Sequence, residues 1–469
     1  MTKYDVVVIG SGPAGQKAAV QASKSGRSVA VVELERGVGG ACVFRGTIPS
    51  KTLRATALNL RQLRDASDYA VVKMQPNVEV ATLMRRLDDV IDSHTQTIAA
   101  QLKRNNIDLV RGRASVTGKN CVTVTKIHGQ KEELEAAVIV VATGSRPRKP
   151  PEIPVDHEHI LDSDSILSMI YLPKSLTVLG AGVIASEYAS IFASLGTKVT
   201  IIDGGSAPVS FMDPELCARF VADFESNGGR YIPHAKIKSC SWDGLESTVT
   251  ELESGEIIRS DKVLCALGRL ANVEGLGLEE LGVELSKRKQ VVVDENCQTA
   301  IPTIYAVGDV IGFPALASTS MEQGRRAVCH ALGLPQGANS TFTPIGIYTI
   351  PEISSVGLTE EEAIEKFGSC TVGRANYSEV ARGKISELGN GIVKLVADAK
   401  GDKLLGAHIL GEGACNLIHI AQVALISGWT VDAFIENIFN FPTLAESYRI
   451  AALDLVNRGV ATAAEPIAV

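Results

Sequence analysis

The chain has 469 residues, 45% of them hydrophobic and 21% charged, with a formal net charge of −7. A length of this order divides into several domains with a large buried core, and the composition is that of an ordinary globular protein. The negative balance argues against general nucleic-acid or anionic-membrane binding, and no apolar run approaches the roughly 18 residues that a bilayer span requires.

The first predicted strand, YDVVVIG (4–10), leaves no room for a signal peptide. A glycine-rich turn follows, then an Ala-rich helical pattern through Ser25 and a second strand, SVAVVELE (28–35). Two helices are expected over 50–64 and 81–104, and a strand region ends in AAVIVVATGS (136–145). The Pro-rich, charged RPRKPPEIP (146–154) reads as a linker.

The opening pattern then recurs: strand SLTVLG (175–180), a helix running to about Leu195, strand KVTIID (198–203). Gly10 to Glu33 and Gly180 to Asp203 both span 23 residues, so two dinucleotide-type units are expected about 170 residues apart. KVLCALGR (262–269) echoes the VATGS segment, and TIYAVGDV (303–310) is a third apolar strand, ending in Gly-Asp. From about 341 the pattern changes to strands such as GIVKLVAD (391–398) and helices, which reads as a separate α+β domain. The terminal TAAEPIAV (462–469) is expected to fray. The expected boundaries are therefore 1–150, 151–270, 271–340 and 341–469.

The nine cysteines, from Cys42 to Cys415, are odd in number, scattered and free of any CxxC. They read as mostly buried thiols in a reducing compartment, the cytoplasm, and not as a disulfide framework or a zinc site. His157 and His159 have metal-like spacing but fall by the linker and read as surface histidines; no metal is expected.

Gly10, Gly12 and Gly15 follow a strand and open a helix. The first glycine permits a tight turn, the second a close approach of backbone to a pyrophosphate, the third close helix packing. Glu33 is placed to take ribose hydroxyls. Gly180, Gly182 and Ala185 repeat the motif. Asp203 would accept from a 2′-hydroxyl and repel a 2′-phosphate, which favours NAD(H). A phosphate could still be met by a basic residue from elsewhere, such as Arg269.

With both motifs, GGACVFRGTIPSK (39–51), VATGS, ALGR, TIYAVGDV, YTIPEISSVGLTEEEA (348–363) and FPTLAESYR (441–449) in fixed order, the chain resembles the FAD-dependent pyridine nucleotide–disulfide oxidoreductases over nearly its whole length. The resemblance implies an α/β fold with two Rossmann-like domains. The FAD domain comes first, an NAD(P) domain is inserted, the chain returns to the FAD domain, and a C-terminal domain makes a homodimer. A higher homo-oligomer stays open. It also implies that Gly10, Gly12, Gly15 and Glu33 hold the adenosine half of FAD, and that Gly39, Gly40 and Cys42 lie along its pyrophosphate and flavin. Asp309 would hold ribityl or phosphate-side oxygens, with Thr143, Gly144 and Gly268 in the paired turns, and Lys51 would sit near the flavin paired with Glu187.

Two departures bear on function. Disulfide-reducing members carry two cysteines separated by four residues; here Thr47 replaces the second. They also place a His before Pro-Thr, where this chain has Phe441, although Glu446 remains. Neither a threonine hydroxyl nor a phenylalanine can pass electrons or protons to a disulfide. Cys42, left without a partner thiol, reads as a packing residue, and Glu446 as a cap or ion-pair residue. The pattern is similar to the soluble, Si-specific pyridine nucleotide transhydrogenases, which usually carry Tyr before the Pro. NADPH would then yield hydride to NAD⁺ through the flavin, with Thr47, Lys51 and Glu187 at the reacting centre. The alternatives are an NAD(P)H oxidase or diaphorase, and a non-catalytic flavin-bound interaction module.

Overall fold

The computed structural model describes residues 1–66, 80–338 and 342–463, with side chains over 1–63, 82–338 and 342–458. Most of TAAEPIAV, from residue 464, lies outside the described residues.

The first sheet has seven strands, with Thr2–Ile9 at its centre between Val29–Glu33 and Lys131–Val141. These central pairings are parallel. Val6, Val7 and Val8 are all fully buried, because such a strand is covered on both faces. Val6 and Val8 pack with Ala14, Ala18 and Ala327 of helices Pro13–Lys24 and Ala317–Ala331. Val7 and Ile9 face a second cluster with Val122, Val124 and Val291. The continuous apolar run of the sequence is thus a fully buried strand.

The second sheet is five-stranded and parallel: Arg230–Ile232, Lys198–Ile202, Ser175–Leu179, Lys262–Cys265 and Ile160–Asp162 in spatial order. A three-stranded antiparallel sheet over residues 237–260 helps to close it, with Cys240 and Leu252 in the shared core. The chain then returns, since Ile304–Ala306 pairs in parallel with Lys131–Val141. The third sheet is antiparallel, ordered Ile345–Ile347, Ile353–Gly357, Leu404–Leu410, Ile392–Ala397, Thr371–Asn376. Helices Ala414–Ser427 and Glu446–Ala463 pack on it around Tyr448 and Phe434.

Two expectations need correction in detail. The long helices run Thr47–Ala66 and Val80–Arg104, so Thr47 opens its helix instead of preceding it. The 146–154 linker is not a free tether. Ser145–Pro147 pairs antiparallel with Arg269–Ala271, and Ile153 is buried in the second unit's core. Prolines lack a ladder donor, but their neighbours still bury apolar side chains.

Between the second and third units lies a charge cluster with Lys394 and Asp213 buried at its centre. The Lys394 ammonium sits 2.8 Å from Asp213, 2.8 Å from Glu360 and 3.5 Å from Glu215. Arg374 adds bonds to Glu215 and Glu360. Burial alone would lower the Lys394 pKa, but the hydrogen bonds to Asp213 and Glu360 outweigh it and hold it above the ordinary lysine value. Asp213 also caps helix Pro214–Ser226, accepting from the Glu215 N–H at 3.0 Å. Replacing Lys394 by Met would leave the buried Asp213 carboxylate without its cation, at a cost of about 3–5 kcal/mol. The Lys394→Met variant is therefore expected to show a clearly lower thermal unfolding midpoint by calorimetry, whereas Lys289→Met, at an exposed pair, shows almost no change.

Candidate active site

The first glycine turn is shaped by its neighbours. A Cβ on Gly10 would lie 2.4 Å from the Ala142 carbonyl oxygen, and one on Gly15 would lie 2.0 Å from that of Gly10. Gly12 is different: a Cβ there meets no protein atom within 4 Å. Its freedom is not needed for packing, which leaves space for an outside group. Gly182 in the second motif is equally open, while Gly180 closes on the Ala266 carbonyl. Ala185 is fully buried, so its methyl is absorbed by packing. Helices Pro13–Lys24 and Val183–Ser194 both lack a side-chain cap at these glycines. Their first-turn N–H groups are free to meet an anion.

Each acidic strand end is tied to its glycine turn. Glu33, 6% exposed, accepts from the Ser11 N–H at 2.9 Å, the Ser11 hydroxyl at 2.6 Å and the Glu35 N–H at 2.9 Å. Asp203 accepts from the Ala181 N–H at 3.1 Å and the Gly205 N–H at 2.9 Å. Both Ser11 bonds fall on Glu33 Oε2, whereas Glu33 Oε1 and each Asp203 oxygen accept a single bond and retain a lone pair for a ribose hydroxyl.

The GGACVFRGTIPSK segment folds onto the first turn. A Cβ on Gly40 would reach 2.8 Å from the Gly12 Cα, and the Gly39 N–H donates to the Ser11 hydroxyl at 3.0 Å. Cys42 lies in the short helix Gly40–Phe44, and the exposed Thr47 opens the helix that follows it. Burial pushes the Cys42 thiol up, against the opposing pull of Thr47 and Lys51. The thiol form is therefore favoured, and thiolate chemistry is not.

One turn further on, the Lys51 ammonium binds both Glu187 oxygens, at 2.9 and 2.7 Å. The Tyr348 N–H donates to Glu187 at 2.9 Å, and the Tyr348 ring lies 4.9 Å beneath the ammonium. Asp309 accepts from the Ser145 hydroxyl at 2.7 Å, and Ser145 in turn accepts from Arg269 Nε at 2.8 Å. Thr143 and Gly144 lock against Asn272 by hydrogen bonds of 2.7 to 2.9 Å, next to the ribbon led by Gly268.

Arg269 is thus committed to Ser145, through its Nε and a second nitrogen, and lies 3.4 Å from Ser163. These bonds lend no support to the possibility that it meets a phosphate on the Asp203 side. His157 hydrogen-bonds Lys149 at 2.8 Å, and His159 stacks on Trp242 at 3.8 Å. Phe441 is 75% exposed, and Glu446 accepts from the Thr443 N–H at 3.2 Å. Among the described residues, no hydrogen bond or ion pair joins either to the Cys42 segment.

Sequence reasoning missed Tyr348, Asp164 and Tyr188. The Asp164 Oδ1 and Tyr188 hydroxyl are buried with no hydrogen-bond partner among the described residues. Burial pushes the Asp164 carboxyl up, opposed by the charge of Arg269. Buried polar atoms without partners fit a polar group that arrives from outside. The only sequence signal was the position of Tyr188 next to Glu187.

Two dinucleotide units with open glycine turns, joined by a lysine–carboxylate pair, define an oxidoreductase of the two-nucleotide class. Residues 4–324 match the family described as pyridine nucleotide-disulphide oxidoreductase, and residues 343–452 match its dimerisation domain. The chain belongs to that family. It is 41% identical over 460 residues to the soluble pyridine nucleotide transhydrogenase of Mycobacterium tuberculosis, covering 98% of each chain. It is 38% identical over 462 residues to the protein of the same name from Marinomonas sp., covering 97% of this chain and 98% of that one. Among solved structures, it superposes on LpdA from Mycobacterium tuberculosis with a TM-score of 0.88 at 29% identity, covering 97% of this chain and 99% of that one. For the HOCl-induced flavoprotein disulfide reductase RclA from Escherichia coli, as its Cu(II) complex, the values are 0.87 and 26%, with coverage of 97% and 99%.

The open space at Gly12 allows a direct check. Gly12→Ala meets no clash and has an ordinary backbone conformation, with φ −67°. The purified variant is expected to keep its circular dichroism spectrum but to hold FAD about tenfold more weakly or worse, because a methyl would crowd the pyrophosphate. The flavin-to-protein absorbance ratio measures this.

Proposed function

We propose that the chain is an FAD-dependent NAD(P)⁺ transhydrogenase, in which hydride leaves NADPH and reaches NAD⁺. The observation that carries the reading is the pairing at the end of GGACVFRGTIPSK. Thr47 occupies the place of a second thiol beside Cys42, while the Lys51–Glu187 pair is intact. Phe441 removes the base that thiol exchange would need. The name shared by relatives at 41% and 38% identity supports the same reading.

FAD, when bound, supplies a two-electron centre between two nicotinamides of nearly equal potential. Gly10, Gly12, Gly15, Glu33, Gly39, Gly40, Cys42, Thr143, Gly144, Gly268 and Asp309 would hold it. Gly180, Gly182, Ala185 and Asp203 would hold NAD(H) or NADP(H) in turn. Lys51 places a fixed cation where negative charge develops, and Glu187 fixes the position of that cation. Thr47 contributes a hydroxyl with no redox chemistry. The net reaction is NADPH plus NAD⁺ giving NADP⁺ plus NADH, so no proton or thiol is consumed.

The domain boundaries are taken at 150, 270 and 340. The third unit matches a dimerisation domain and makes a homodimer in this reading. No described helix is long and apolar enough to cross a membrane, and the site of action is taken as the cytoplasm.

The deciding experiment is anaerobic. After NADPH bleaches the flavin, thio-NAD⁺ is expected to restore its absorbance, and lipoamide is not. Recovery with lipoamide alone overturns the proposal, and rapid recovery only with oxygen or quinone would make the protein an oxidase or diaphorase. Lys51→Met should slow bleaching by NADPH about 10²-fold, because one fixed charge at the reacting centre is lost. Stopped-flow absorbance measures that rate.

A further inference from the structure

Transfer from NADPH, on which this inference rests, requires something to receive a 2′-phosphate. The 204–208 turn, GGSAP, carries no arginine, and Arg269 is held by Ser145. We propose that His234 and Lys236, with Ser206, form the 2′-phosphate subsite of the second nucleotide unit.

Strand Arg230–Ile232 runs parallel to Lys198–Ile202, so the carboxyl ends of both open on the same crevice. The turn after the first of these is tied to the turn after the second by three backbone bonds. Asp203 N–H donates to the Ile232 carbonyl at 3.0 Å, His234 N–H to Gly205 at 2.9 Å, and Ala235 N–H to Asp203 at 2.8 Å. His234 adopts a φ of 53°, in the left-handed region that costs a non-glycine residue energy. The bonds to Gly205 and Asp203 hold it there and bring residues 234–236 beside the acidic strand end.

The two side chains are available. His234 and Lys236 are both exposed, and the imidazole has no hydrogen-bond partner among the described residues. Lys236 lies 3.8 Å from Glu253, with side chains 76% and 60% exposed, a pairing too weak to fix the ammonium. Glu256 is occupied by Arg230 at 2.7 Å, and Lys238 by Glu251 at 2.6 Å. Both candidates also border an open cleft of about 380 Å³ that is lined by neither Asp203 nor Ser206 and is walled by Leu252, Glu253, Ser254 and the Arg230-paired Glu256. Ser206, exposed on the neighbouring turn, adds a hydroxyl donor.

Asp203 does not forbid this arrangement. Both its oxygens accept backbone N–H groups from Ala181 and Gly205, which draws the carboxylate into its own turn and offsets part of its charge. It can hold the 3′-hydroxyl while a cation beside it meets the phosphate. A single site that tolerates both nucleotides needs this balance: an acid for the unphosphorylated ribose and mobile cations for the phosphorylated one.

The test uses two fragments that differ only by the 2′-phosphate, 2′,5′-ADP and 5′-AMP, titrated calorimetrically into the FAD-loaded protein. The native protein is expected to bind 2′,5′-ADP about tenfold more tightly, the ratio for one or two charge-assisted bonds. In H234Q/K236Q the ratio should fall to near one while 5′-AMP affinity changes less than about twofold, with K236Q intermediate. Equal binding of the fragments by the native protein, an unchanged ratio in the double variant, or equal loss of both fragments would each overturn the subsite. Neither fragment carries a nicotinamide, so the result stands even if the thio-NAD⁺ experiment removes the transhydrogenase reading.

Discussion

The pair between Lys51 and Glu187 is the contact on which the site depends. Lys51 comes from the helix that follows the first unit's GGACVFRG turn, and Glu187 from the glycine-motif helix of the second. Tyr348 of the third unit donates its N–H to the same carboxylate and places its ring beneath the ammonium. Glu187 is 4% exposed, and a carboxylate so buried is costly without a partner. Three separately built units are therefore registered at one point. Neighbouring bonds reinforce it: Ile350 N–H to Ser190, Arg54 to the Thr349 carbonyl, and Arg54 to Glu352 at 3.1 Å. Leu53 and Ala57 pack with Tyr188, Phe192 and Ile350 around the charges.

This registration explains why losing a thiol need not mean losing an enzyme. The second-cysteine position and the base position belong to the same half-reaction, and both are replaced, by Thr47 and Phe441. In the proposed reading the lysine, its carboxylate, the two glycine turns and their acidic strand ends serve the other half-reaction, and Lys51 and Glu187 stand paired. Cys42 sits by Thr47 with its proton retained by burial. The chemistry left to the protein is positioning and electrostatics.

Much of this was legible in the residues. Glycine motifs are readable because a turn, a close carbonyl and an open approach each restrict side-chain size at a fixed spacing, as Gly10, Gly15 and Gly12 do. The apolar run of Val6 to Ile9 is readable because a strand buried on both faces has no polar alternation. The opening of the first long helix at Thr47 was not legible: proline at 49 marks a helix start only within a turn or so. The burial of Ile153 inside a Pro-rich segment was hidden for a similar reason, since composition signals a break in regular structure and not exposure.

The sequence by itself determined the two glycine-motif units with their acidic strand ends at Glu33 and Asp203, and it placed Thr47 and Phe441 where the family it resembles carries a thiol and a base. The units rest on residues close in sequence and on a repeat that can be counted, whereas the pairing of Lys51 with Glu187, 136 residues apart, was legible only through the family resemblance. Only the tertiary structure decided that Arg269 serves Ser145, that Tyr348 completes the Lys51 site, and that the turn at His234 lies against Asp203. Those contacts join residues 29 to 297 positions apart, and their partners are chosen by the order of strands in a sheet and the docking of whole units. No local pattern encodes that choice.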